Sequence, residues 1–184
     1  MQYKNLILGS LFALTVISEV SSAEMRPSHE AHVHGEAVLN IVLDGNSLLI
    51  EFASPAINLL GFEHTPANDA QKSILQNAKQ TLMATDRLFY FSTATCRSEN
   101  IEIEAPHMNQ HEDKKHSHHS EHAEHADFHA SYAFKCRQEK DLKEIMIKLF
   151  TLFPGIHQIK THWIINGAQG ITVLEPNNPI LKIN

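Results

Sequence analysis

The chain has 184 residues, with 14 histidines, only two cysteines and a formal charge of −6 when histidine is neutral. This balance argues against a nucleic-acid or anionic-lipid surface, which needs excess Lys and Arg, and mildly favours cations. The length allows one domain with a real core, or two very small ones.

The first residues form a secretory signal: Lys4 gives a positive start, Leu6 to Ile17 an apolar run, and Ser21-Ser22-Ala23 a small-residue cleavage site. The expected boundaries are a signal peptide over 1–23 and one domain over 24–184, leaving 161 residues after cleavage. The apolar run falls short of the roughly 20 residues that span a bilayer, and no later segment approaches that length. No membrane insertion is expected once the signal is removed. Residues 24–31 read as a short flexible arm.

From His32 the pattern changes to period two. Val33, Ala37, Leu39, Ile41 and Leu43 fall on one side and His32, His34, Glu36 and Asn40 on the other, as in a half-buried strand. Asp44-Gly45-Asn46 is a hairpin turn into a second strand through Leu48, Ile50 and Phe52. Ser54-Pro55 starts a short helical turn that stops at Gly61. Thr65-Pro66 repeats that signal ahead of a helix over about 66–84, striped by Ala70, Ile74, Ala78 and Leu82. Leu88 to Phe91 reads as a buried strand, and Ile101 and Ile103 between Glu102 and Glu104 as a half-exposed one.

Cys96 and Cys136, an even count in an exported chain, are expected to form a disulfide. The bridge closes a loop of 41 residues, which the chain-entropy model values at roughly 4 kcal/mol. Residues 105–126, almost without apolar content, are expected to be a His-rich loop that is disordered without metal. A strand then carries Phe128, Ala130, Tyr132 and Phe134 on one face, so the loop joins two strands of a disulfide-stapled hairpin. Setting Cys96 opposite Cys136 leaves Ile101 and Ile103 on the wrong face, so a bulge or a non-adjacent pairing is required. Leu142, Ile145, Met146, Leu149 and Phe153 space as an amphipathic helix ended by Pro154-Gly155. Ile159, Thr161, Trp163 and Ile165 alternate as a strand, Asn166-Gly167 turns, and Ile171 to Leu174 return.

This order suits an α+β fold: antiparallel sheet packed with helices as a two-layer sandwich, interrupted by the His-rich loop. A weak internal duplication is a further reading, with halves 32–104 and 127–184. Strand, short helix and glycine stop occur at 47–61 and again at 128–155, at unequal lengths.

The densest chemistry lies between residues 107 and 129, where eight of 23 residues are histidine: His107, His111, His116, His118, His119, His122, His125 and His129. Glu112, Asp113, Glu121, Glu124 and Asp127 are interleaved with them. Imidazole nitrogen and carboxylate oxygen are ligands of divalent transition metals, and histidine, with a reference pKa of about 6.5, is largely neutral at pH 7. The tract reads as a multi-site binder of several ions, with Zn2+ the leading candidate and other divalent transition metals expected to compete in vitro. His118, His122, His125 and His129, spaced i, i+4, i+7 and i+11, would line one face of a helix. A fluid chelator with exchanging ligand sets is the preferred alternative.

His32 and His34, about 7 Å apart on one strand face, are a second candidate metal pair. They could equally be surface histidines. His64 precedes a helix start, where a structural hydrogen bond is the commoner role, and His157 and His162 are isolated. The chain has no HExxH, phosphate loop or serine elbow, and no reactive cysteine outside the expected bridge, so no enzyme activity is expected.

Three stretches resemble one family. They are His32-Val33-His34-Gly35-Glu36-Ala37-Val38-Leu39-Asn40-Ile41 with Asp44-Gly45; Ser54-Pro55-Ala56-Ile57-Asn58-Leu59-Leu60-Gly61-Phe62-Glu63-His64; and Tyr132-Ala133-Phe134-Lys135-Cys136 with Leu149-Phe150-Thr151-Leu152-Phe153-Pro154-Gly155. Together they resemble the ZrgA family of zinc-regulated periplasmic proteins of Gram-negative bacteria. The resemblance implies a periplasmic zinc-binding accessory to high-affinity zinc uptake, acting with a zinc ABC importer and its binding protein. A protective buffer against excess zinc, copper or nickel is the competing function.

Overall fold

The computed structural model describes residues 33–92, 94–106, 126–137 and 142–183, which all lie within one compact unit. Strand predominates. β1 (Glu36–Asp44) and β2 (Ser47–Pro55) form the first hairpin, with Asp44 opposite Ser47. Gly45, first in the two-residue turn, has φ of 54°, a conformation open to glycine at little steric cost. Three helical pieces follow: α1 (Ala56–Leu60), α2 (Asp69–Met83) and α3 (Thr85–Leu88). Then come β3 (Phe89–Phe91), β4 (Thr95–Glu104), β5 (Asp127–Arg137), β6 (Glu144–Ile147), α4 (Leu149–Leu152), β7 (Gln158–Ile165), β8 (Ala168–Leu174) and β9 (Ile180–Lys182).

Two sheets result. The larger runs β4-β5-β2-β1-β7-β8 and the smaller β3-β6-β9. The six-stranded sheet therefore takes strands from both 32–104 and 127–184. It is mixed rather than purely antiparallel, because β7 enters beside the start of β1 and runs parallel to it, Glu36 against Gln158. The His157 and Gln158 N–H groups both donate to the Gly35 carbonyl, at 2.7 and 3.0 Å, and so fix that entry.

The inner face is continuous. Leu39, Ile41, Ile50, Phe52, Phe128 and Tyr132 are fully buried. The small sheet lies against them through aromatic edges: Phe89 meets Tyr132 at 5.3 Å between ring centroids, and Phe91 meets Phe134 at 5.1 Å. Such T-shaped pairs add to the burial of the rings themselves. The fold is thus largely sheet on sheet, not the helix-packed sandwich that the sequence predicts.

Three expectations change for physical reasons. Residues 142–153 do not form one amphipathic helix. Ile145 and Ile147 are buried as alternate residues of β6, the central strand of the small sheet, and only Leu149–Leu152 closes a helical turn. β-branched residues at period two outweigh the helical spacing of their neighbours. The first strand begins at Glu36, not His32: Gly35 has φ of 88°, and the Glu36 N–H donates to the Val33 carbonyl to make a turn. Val33 is accordingly 51% exposed. The long helix starts later than Thr65-Pro66. Asn68 caps it by accepting from the Gln71 N–H, while Gln71 Oε1 accepts from the Ala67 N–H, a reciprocal cap. In its apolar stripe only Ala78 and Leu82 are buried.

Cys96 and Cys136 are bridged and lie directly opposite each other in the β4–β5 ladder. Ser98 pairs with Phe134, but Asn100, not Glu99, pairs with Ala133, so Glu99 is the extra residue of a bulge. Beyond it Ile101 opposes Tyr132 and Ile103 opposes Ala130. The bulge returns both isoleucines to the inner side and turns Glu102 and Glu104 outward.

Candidate metal centre

Site residues stand at two places, both fixed by strand ends. The first surrounds the Gly35 turn. Asn58, buried on α1, accepts the Gly35 N–H at 2.7 Å and donates to the Glu36 carbonyl at 2.8 Å and to Ser54 Oγ at 3.1 Å. Every polar atom of its amide is thereby occupied, which locks the α1 turn to the start of β1. His157 closes the turn from the other side, and a side chain at Gly35 would meet its Nδ1 at 2.9 Å.

On this frame His34 points to Glu63, with 3.2 Å between Nε2 and Oε1. His64 stacks on Phe62 at 5.1 Å, and its Nδ1 lies 2.9 Å from the Thr65 carbonyl. A carbonyl only accepts, so Nδ1 carries the proton of that bond. His64 thus makes the structural hydrogen bond that its position predicts. His162 lies on β7 opposite Asn40, and its Nε2 is enclosed with no hydrogen-bond partner among the described residues.

The second place is where β4 ends and β5 begins, on the outer face of the large sheet. His129 is exposed there, between Glu104 of β4 and Ala53 of β2. Of the tract histidines it alone lies within the described residues. His107, His111, His116, His118, His119, His122 and His125 lie outside them, as do His32 and the signal segment over 1–23. Glu63 lies against His34, and Glu104 stands opposite His129. Sequence reading did not single out either glutamate, because exposed glutamate on a strand or loop has no spacing that marks it. Only the bulge and the α1–α2 connection bring them there.

Among the described residues no three His, Cys, Asp or Glu side chains are gathered into a metal site. No described helix is long and apolar enough to cross a membrane. The residue types still suit zinc, which takes imidazole nitrogen and carboxylate oxygen as ligands. No curated protein matches the chain. The family model described as ZrgA family zinc uptake protein matches residues 31–183, that is 153 of the 184 residues, and the chain belongs to that family.

Proposed function

We propose that this protein is an exported, non-enzymatic zinc carrier. In the periplasm it captures Zn2+ on its histidine tract and assists high-affinity uptake through a zinc ABC importer and that importer's binding protein. The observation that carries the reading is the run of eight histidines in 23 residues, inside a chain whose family is one of zinc uptake.

Several sites of moderate affinity load and release ions faster than one closed four-ligand site, which suits hand-over rather than storage. The frame supports this division of labour. The tract joins β4 to β5, and the Cys96–Cys136 bridge ties the far end of the same two strands.

Native mass spectrometry of the mature, disulfide-intact protein titrated with ZnCl2 tests the proposal. The full chain should hold several ions, and a variant lacking 107–125 should fold and hold far fewer. An unchanged ion count would overturn capture by the tract. Need for the protein under zinc chelation supports uptake, whereas need only under zinc, copper or nickel overload would make it a buffer.

A further inference from the structure

The two edges of the six-stranded sheet are built differently. β4 carries Arg97, Glu99, Glu102 and Glu104 and is bent by the bulge at Glu99, devices that keep another strand from adding to an edge. β8, Ala168-Gln169-Gly170-Ile171-Thr172-Val173-Leu174, has no charge, no proline and no register shift against β7. Among the described residues no strand pairs with its far side. We propose that β8 is the edge on which two copies of this chain join, antiparallel, about a twofold axis at Ile171. The inference is independent of the zinc-carrier reading.

Backbone direction carries it first. Asn166 and Gly167 have φ of 49° and 89°, as in a type I′ turn. Such a turn closes with the Ala168 N–H donating to the Ile165 carbonyl, and antiparallel pairs alternate from there. Trp163/Gly170, Thr161/Thr172 and Ile159/Leu174 are then the further hydrogen-bonded pairs with β7. Gln169, Ile171 and Val173 turn their N–H and C=O groups to the open edge instead. A twofold axis at Ile171 sets this residue against Ile171 of the second copy, and Gln169 against Val173 of that copy. All three residues stand in hydrogen-bonded pairs in that register, so every outward backbone group among them gains a partner.

The side chains agree. Ile171 is 64% exposed, more than any other large hydrophobic among the described residues, and Val173 is 47% exposed. Self-pairing places Ile171 beside its own copy, with Cα atoms about 5.5 Å apart. From the inner side Trp163 braces the strand: its ring lies over Gly170, where a Cβ would come within 2.5 Å of it, and its Nε1 donates to Thr172 Oγ1 at 3.1 Å. A strand held in place before it meets its partner loses less freedom on association.

Charge selects the occupant. A chain of formal charge −6 repels its own copy, so two copies meet best where no charge faces its like. Self-pairing on β4 would bring glutamates together, whereas on β8 only neutral side chains meet.

Sedimentation equilibrium of the mature, disulfide-intact protein in EDTA, which removes metal bridging, tests this. One strand edge per copy buries less than the roughly 1,600 Å² of a standard interface, so the dimer fraction should rise with protein concentration. Ile171→Lys, at an exposed side chain, should leave the circular dichroism unchanged and weaken dimerisation at least about tenfold, because like charges would face each other at the axis. Under mild oxidation Ile171→Cys should link two copies by a disulfide, and much faster than Glu102→Cys on the opposite edge. A monomer at every concentration would overturn the proposal and leave the edge to a strand of another protein. A dimer that Ile171→Lys leaves intact would overturn it too, as would linking at Ile171→Cys no faster than at Glu102→Cys.

Discussion

The two faces of the six-stranded sheet are written in the same strands, one residue apart, yet they do opposite work. Inward, Leu39, Ile41, Ile50, Phe52, Phe128 and Tyr132 are buried against the small sheet. Outward, Asn40, Glu51, Glu102, His129 and Ser131 line a concavity that no other described element covers. Period two is thus a division between cohesion and chemistry, and each can change without the other so long as register holds.

The sharpest way to break that division is to put an outer-face group on the inner face, as Ile50→Glu does. Ile50 is fully buried, opposite Ile41 of β1 and Tyr132 of β5. A buried unpaired carboxylate costs several kcal/mol and the lost packing adds to it, so the expected loss exceeds about 5 kcal/mol and little soluble protein should form. Phe128→Ala, on the inner face, should lose about 4 kcal/mol in chemical denaturation and leave the zinc count of the folded protein unchanged. Replacing Cys96 and Cys136 together by Ala should cost about 4 kcal/mol, from a bridge closing 41 residues.

Outer-face changes should reverse that pattern. His129→Gln, at an exposed tract histidine, is expected to move stability by under about 0.5 kcal/mol while lowering zinc capacity. Total zinc capacity should fall steeply between about pH 7 and pH 5.5, because imidazoles with a reference pKa near 6.5 must lose their protons to bind. A capacity flat across that range would mean that histidine is not the main ligand.

Tyr132 offers the finest test. Its hydroxyl is buried with no hydrogen-bond partner among the described residues, and burial pushes its pKa well above the ordinary tyrosine value. The neutral form is favoured in the folded state, so its contribution is complete below about pH 10 and is lost as pH rises and the unfolded chain ionises. Tyr132→Phe should remove that alkaline loss and stabilise the protein at pH 7 by roughly 1 kcal/mol.

How far the sequence discloses this arrangement depends on the range of the cause. The β1–β2 hairpin, the inward row from Phe128 to Phe134, the disulfide and the need for a bulge near Ile101 are all legible, because alternation and turn chemistry are local. The strand at Glu144–Ile147 is not, since Leu142, Ile145, Met146 and Leu149 satisfy a helical spacing while Ile145 and Ile147 satisfy a strand. Only the neighbours β3 and β9 decide between them. The parallel entry of β7 beside β1 is likewise set by backbone contacts to Gly35 across more than 120 residues. At the site, histidine announces itself by density, whereas Glu63 and Glu104 gain meaning only from what the fold sets opposite them.

The β4–β5 pair also bears on how such a protein can diversify. Its register is fixed by a covalent bridge at one end and by the bulge partway along, both upstream of the point where the histidine tract leaves the sheet. Residues gained or lost between Glu104 and Asp127 therefore need not re-register either strand, and the entropy of a longer loop rises only with the logarithm of its length. Capacity for ions becomes a quantity that insertion and deletion can tune almost continuously, on a scaffold that keeps its shape.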